Sequence, residues 1–482
     1  MNATRIMVYS HDAFGLGNLR RMLSICEHLL AHWPDLSVLL VSGSPMIHEF
    51  RLPKGLDYIK LPCLNRGCSG ELSAKYLGTS MEETVALRSQ LIYSAATHFK
   101  PHLLLVDKKP TGLQGELQTT LTYLKHKLPN SQCVLLLRDI LDTPKKTTKE
   151  WSQYGYYQTI QSFYHRILVV GMQSVFDLVQ AYCLPLPVAY KVRYCGYIRK
   201  PESGMSRAEA RSQLNLNPTD RLVLVTPGGG EDGYALVHSY LLGLARLQSK
   251  AFAHDSSASF VEFSSIESSS TDSPLAESSS TESNVSFHSL VLCGPEMPAQ
   301  QRRALQSLAD ACSNVIFKDF TLDLLSYLKS SDAVVSMGGY NTLTEVLAFG
   351  RRAVVIPRVR PSQEQWLRTT QFAKKNWVTM LSPGQSTPDV FIQQVLAQLV
   401  QPIRLPQGID FDGLPNVLSY LKELRLPAAT KPSNPTPSKQ LPPKLSAQSS
   451  LRSSSQPSAQ ALSVPSASVI PSAPYPPQCL LA

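Results

Sequence analysis

The sequence predicts an α/β protein built from parallel-sheet units, and three stretches predict it. Near the N-terminus an apolar run, RIMVYS at 5–10, leads through HDAFGLGNLRRMLSICEHLLAH, a glycine turn and a helically spaced segment, to a second apolar run, SVLLVSG. RLVLVT at 221–226 runs into Gly228-Gly229-Gly230 and then into another helical segment. DAVVS at 332–336 runs into Gly338-Gly339, a segment with Leu343, Val346, Leu347 and Phe349 apolar, and AVVIP closing at Pro357. Strand, glycine turn, helix, strand is the repeating unit of a nucleotide-binding sheet. At 482 residues and 43% hydrophobic content, the chain has room for two such domains and some unfolded segments.

In the first unit Leu19, Met22, Leu23, Cys26, Leu29 and Leu30 recur at helical spacing behind the tight turn of Gly15 and Gly17. The turn is G-x-G without the full G-x-G-x-x-G, so a dinucleotide site is weakly signalled. His11 and Asp12 end the first strand and are candidate general bases. A hydrogen bond closing the strand end is the plainer reading of His11. Arg20 and Arg21 either meet an anion or are solvated helix charges. Further apolar runs, HLLLVDKKP, QCVLLLRDI and HRILVVG, end at Asp107, Arg138 and Gly171. Ligands collect at the carboxyl ends of strands in open sheets. That makes Asp107, Lys108, Arg138 and Asp139 ligand-side candidates, with caps or salt bridges as the alternative. Residues 192–204 read as a strand end and a linker, punctuated by Pro201 and Gly204.

In the second unit the backbone amides of Gly228 to Gly230 can cradle an anion. Residues 251–289 are Ser-rich, with Asp255, Glu262, Glu267, Asp272, Glu277 and Glu282 as acids. So polar a stretch buries too little surface to fold, and it is expected to be a disordered insertion before the next strand, SLVLCGP. VIFKDF predicts another strand reaching Phe320, and Asp323 opens a helix. Gly338 and Gly339 let backbone N–H groups approach a diphosphate at a helix N-terminus. Glu345, one turn in, offers two acceptor oxygens to the two hydroxyls of a ribose. The alternative is a capping box, Thr342-x-x-Glu345. Arg358 and Arg360 follow Pro357, where a guanidinium fork suits phosphate oxygens or a solvated loop suits arginine. Residues 409–426 hold a last amphipathic helix. Beyond Pro427 the tail is Ser, Pro, Ala and Gln, charged only at Lys431, Lys439, Lys444 and Arg452, and is expected to be disordered.

Net charge is +10 with a pI near 9.1, which fits nucleic acid, anionic headgroups or phosphorylated ligands. There is no aromatic-interleaved basic stripe, so nucleic-acid binding is not expected. The nine cysteines are scattered without a C-x-x-C pair, which argues against zinc and for a reducing compartment. The N-terminus opens directly into a strand-like run, so no signal peptide is expected, and no apolar run has membrane-spanning length. The expected setting is cytoplasmic, with peripheral contact at the inner membrane face left open.

The stretch from Asp332 to Gln371 resembles the donor-site signature of two-domain nucleotide-sugar glycosyltransferases. It is similar to family 28, which includes the N-acetylglucosaminyl transferase of peptidoglycan synthesis, and closer still to a bacterial set of sequence-predicted glycosyltransferases. Gly339 falls on the second glycine of that pattern and Glu345 on its ribose-binding Glu. The pattern's usual Gln-Gln pair falls on Glu364 and Gln365, so only Gln365 matches. The N-terminal turn is similar to a Gly-Leu-Gly-His-x-Arg-Arg stretch of the bacterial set. Asn18 stands at its His, the natural base, and an amide cannot accept a proton near neutral pH.

The resemblance spans Arg5 to about Leu426, minus the insertion. It implies a GT-B architecture, two Rossmann-like domains facing across a cleft. Residues 1–200 would be the acceptor side, 201–408 would hold the donor, 409–426 would cross back, and 427–482 would be tail. The implied activity moves a sugar from a nucleotide-sugar donor, of the UDP-linked kind, to a hydroxyl of a glycan, lipid or small molecule. It would proceed with inversion and without a cofactor or bound metal. The implied donor-side residues are Gly229, Gly230, Gly338, Gly339, Asn341, Thr342, Glu345, Arg358 and Gln365. The acceptor side would use Gly15, Gly17, Asn18, Arg20, Asp107 and Arg138, with His11 or Asp12 catalytic. Two rivals share the donor logic: a nucleotide-sugar 2-epimerase, and a nucleotide-sugar-binding protein whose catalysis is impaired at Asn18.

Overall fold

The computed structural model describes residues 4–11, 17–66, 71–200, 204–257, 287–321, 323–384, 386–424 and 426. Apolar runs without alternation make strands that are covered on both faces, and the inner strands of both main sheets are made of them. The first sheet contains β1 (Thr4–Tyr9), β2 (Leu36–Ser42) and β3 (Leu56–Lys60). A small antiparallel hairpin, β4 (Leu64–Arg66) and β5 (Leu72–Ala74), follows outside it. The sheet resumes with β6 (Leu103–Asp107), β7 (Gln132–Arg138), β8 (Arg166–Val170) and β9 (Val192–Tyr194). Its order is β3-β2-β1-β6-β7-β8-β9, with every pairing parallel.

The second sheet repeats the plan with β10 (Arg221–Thr226), β11 (Phe287–Leu292), β12 (Val315–Lys318), β13 (Ala333–Ser336), β14 (Arg352–Val355) and β15 (Thr379–Met380). Its order is β12-β11-β10-β13-β14-β15, again parallel throughout. Strand order therefore reverses between β1 and β6 in one sheet and between β10 and β13 in the other. Such reversals leave a crevice at the carboxyl ends of the strands.

A polar seam joins the domains. Arg368, fully buried on helix Glu364–Lys374, donates from Nε and Nη2 to the carboxylate of Asp139 beyond β7, at 2.7–3.1 Å. Arg138 Nη2 lies 2.5 Å from Glu364 Oε2, and Asn341 Nδ2 donates to the carbonyl of Gly17 at 2.8 Å. Tyr340, at the start of helix Tyr340–Ala348, is clasped between guanidiniums of opposite domains. Arg21 stands 5.7 Å and Arg368 5.5 Å from its ring centroid. The last helix, Gly413–Lys422, buries Leu414, Val417 and Leu421 with the first domain. Asn416 donates to the carbonyl of Cys195 at 3.0 Å, and Lys422 to that of His32 at 3.0 Å.

The expected insertion is narrower than its composition suggests. Helix Tyr234–Ser257 continues through 251–257, where Ala251 and Ala253 favour helix, and Phe287 to Ser289 open β11. The rest of the Ser-rich stretch, 258–286, and the tail from 427 lie outside the described residues. Among the described residues no helix is long and apolar enough to cross a membrane.

Candidate functional site

The two reversal points face each other, and between them lies a cavity of about 690 Å³. Each wall is set by the turns that follow the central strands. On the N-terminal side these bring Gly17, Asn18, Arg20, Lys108 and Arg138 to the cavity. On the C-terminal side they bring Gly229, Gly230, Gly339, Asn341, Thr342, Glu345, Arg358 and Gln365. Gly338 is set back. A side chain there would meet Thr369 Oγ1 at 2.5 Å and Gln365 O at 2.8 Å, so only glycine lets the turn sit on helix Glu364–Lys374. Arg368 Nη1 also donates to the Gly338 carbonyl at 3.0 Å. Asp12 and Gly15 lie outside the described residues.

Gly339 is the N-cap of helix Tyr340–Ala348, and no side chain caps that end. Open space lies where a Gly339 side chain would be. Unoccupied first-turn N–H groups facing a cavity are suited to an anion. The capping box Thr342-x-x-Glu345 is not formed, because the helix starts two residues before Thr342. Glu345 instead pairs with Lys200 of the interdomain linker, Nζ to Oε1 at 2.9 Å. The carboxylate is only 5% exposed. Arg358 is engaged with Asp232 at 2.9 Å, and its backbone N–H donates to Gln365 Oε1 at 3.1 Å.

The departure at Glu364 has a structural partner. Burial pushes its carboxyl up, but Arg138, Arg368, Lys108 and Arg358 outweigh that and hold it at about 2. A carboxylate here answers Arg138 across the cleft. Asp107 does not reach the cavity. It is fully buried and bound to Arg21 at 2.7 Å, so the pair reads as a wall strut rather than as ligand groups.

Asn18 is spoken for at both ends of its amide. Nδ2 donates to the carbonyl of His11 at 2.7 Å, and Oδ1 accepts from Arg21 at 3.1 Å. His11 lies behind it, 2% exposed and outside the cavity lining. Burial first, then the charges of Lys108, Lys109, Arg138 and Arg88, hold its imidazole well below its ordinary 6.5. It is neutral at physiological pH, with Nδ1 lacking a partner among the described residues. The chain's one Asp-x-Asp triplet, Asp410-Phe411-Asp412, serves the crossing segment. Asp410 O accepts from Tyr197 N at 2.8 Å, and neither carboxylate lines the cavity.

Sequence reasoning missed Lys200 and Arg368. Nothing local marks Lys200. Arg368 had a signal: Glu364, Gln365, Arg368 and Thr369 fall on one helical face with Phe372, and all are buried. A polar stripe on a buried face announces partners elsewhere.

Two doubly wound sheets whose reversal points share one cleft define the GT-B class of glycosyltransferase folds. Residues 270–406 match the glycosyltransferase family 28 C-terminal domain, so the C-terminal half of the chain is family 28-like. Solved structures agree on the fold. The glycotransferase of kitacinnamycin has a TM-score of 0.55 at 12% identity, covering 89% of this chain and 100% of that one. MurG of Acinetobacter baumannii has a TM-score of 0.52 at 12% identity, covering 87% and 99%. UDP-GlcNAc 2-epimerase of Neisseria meningitidis, bound to UDP-GlcNAc, has 0.51 at 12% identity, covering 87% and 100%. No curated protein matches the chain by sequence. Identities this low speak to fold alone.

Proposed function

We propose that this protein is a glycosyltransferase that moves a sugar from a UDP-linked donor to an acceptor hydroxyl. The observation that carries the reading is the Glu345 carboxylate, held at the cavity wall just inside an uncapped, glycine-fronted helix. In this reading the first-turn amides of helix Tyr340–Ala348 receive the diphosphate, and the helix dipole stabilises charge as it leaves. Glu345 accepts from the ribose hydroxyls, with Lys200 holding it in place until they arrive. Arg358 stands beside the diphosphate position.

A second reading is favoured by one arrangement: Asn18 is locked between His11 and Arg21, and His11 is discharged behind it. A protein so built binds nucleotide sugar while turning it over slowly. The test has two parts. Calorimetry of UDP against wild type and Glu345→Ala should show at least tenfold weaker binding in the variant, about 1.4 kcal/mol or more. Equal affinities would remove Glu345 from the donor site. UDP release across a panel of acceptors then identifies transfer. Sugar interconversion without UDP release identifies an epimerase, and binding without either identifies a binder.

A further inference from the structure

Three cations of the cleft, Arg20, Lys108 and Arg360, make no side-chain hydrogen bond or salt bridge among the described residues, and of these only Lys108 has a backbone in the left-handed region. Lys108 directly follows β6 at the reversal point, and its backbone lies in the left-handed region at φ 70°. A lysine holds that conformation against crowding of its Cβ, and such strain persists where the surroundings enforce it. Here the N–H of Lys108 is tied to the carbonyl of Leu136 at 2.9 Å. Three neighbouring cations are engaged: Lys109 with Glu150 at 2.8 Å, Lys146 with Asp142 at 2.8 Å, and Arg138 with Glu364. Lys108 lines the cavity, and its ammonium has no hydrogen bond or salt bridge among the described residues. The walls also differ in sign. Six cations face two acids on the N-terminal side, whereas the C-terminal side sets Arg358 and Arg360 against five acids.

We propose that Lys108 docks an anionic group of the acceptor, a phosphate or a carboxylate, at a position separate from the donor diphosphate. The inference rests on the transferase reading of the cleft and narrows its acceptor to an acidic molecule. A strained backbone at a cavity-lining residue with an unpaired ammonium has a reason if an anion arrives there. The C-terminal wall already offers a helix end to the diphosphate.

Sulfate is the probe, because it keeps its charge across the pH range used. It is titrated into the full chain saturated with UDP, for wild type, Lys108→Gln and Lys108→Gly. Glycine suits the left-handed backbone, so Lys108→Gly keeps the wild-type melting temperature and separates loss of the ammonium from loss of fold. The expected result is sulfate binding to wild type, weakened at least tenfold in both variants, with UDP affinity unchanged.

Burial, then Arg138, lowers the ammonium to about 8, while Glu364 and Asp107 act against the fall and Lys109 adds to it. His11, which also faces it, is neutral over this range. Lys108 is therefore charged below about 8 and neutral above. Wild-type sulfate affinity should drop about tenfold between pH 7 and pH 9 and stay flat in Lys108→Gln. Equal sulfate binding by all three proteins overturns the proposal. So does a matching fall in UDP affinity, which would give Lys108 to the donor. If UDP fails to bind wild type, the donor reading falls by itself, and the acceptor assignment goes with it.

Discussion

Replacing Glu364 by glutamine restores the residue usual in related donor sites, and in this protein it should destabilise. Arg138 and Glu364 are 11% and 9% exposed, and they meet through two contacts at 2.5 and 3.1 Å. Breaking a buried pair outright costs about 3–5 kcal/mol. The amide keeps one acceptor for Arg138, so the loss reduces to about 2 kcal/mol, the scale of a charged hydrogen bond. That is a factor of up to about 30 in the unfolding equilibrium.

The pH dependence has a definite sign. The folded carboxyl lies at about 2 against an ordinary 4.5. A depressed carboxyl stabilises above its unfolded value and loses that contribution as pH falls toward its folded value. The difference between wild type and Glu364→Gln should be flat above pH 5.5 and shrink by about 1 kcal/mol by pH 4. Urea unfolding measures it, followed by tryptophan fluorescence and circular dichroism. Trp151 and Trp366 report from different domains, so coincident transitions show that both unfold together. A difference under about 0.5 kcal/mol at pH 7, or one that does not change down to pH 4, would show that the pair does not operate in solution.

Two further perturbations test the seam and the turn. Arg368→Met strands the Asp139 carboxylate, which is 2% exposed, and should cost about 3–5 kcal/mol in urea; adding Asp139→Asn should recover part of it. Additive losses in that pair would refute their coupling. Gly338→Val drives a side chain into Thr369 and Gln365 and should cost about 1–3 kcal/mol, seen as a lower melting temperature. An unchanged melt would mean that the turn has room to spare.

The legible parts of this fold were those written in consecutive residues. Strands such as LLLVD are buried at every position, so their apolar runs stood out. β3, LDYIK, is an edge strand with only Leu56 buried, so no apolar run marks it. Helix Met81–Phe99 was equally silent, because its buried face carries Arg88 and Thr84 beside Ile92. At the cleft, the glycine turns were readable because each follows a strand and opens a helix. The pairings were not. Arg138 and Glu364 are 226 residues apart, and neither stretch names the other. Glu345 looked like a free carboxylate or a cap, because Lys200 enters only when the linker folds beneath it. Asp107 looked like a ligand because it ends a strand, but burial gave it to Arg21.

Tyr340 and the charges around it also bear on exchanging halves between proteins of this architecture. Its ring belongs to one half yet rests against Arg21 of the other, and Glu364 answers a cation encoded far upstream. A chimera that kept this N-terminal half and borrowed a C-terminal half with Gln at that spot would leave the Arg138 guanidinium facing an amide, with one acceptor and no opposing charge at the join. The two gene segments are thus matched like plug and socket, and shuffling either one alone breaks the fit before any question of sugar or acceptor arises.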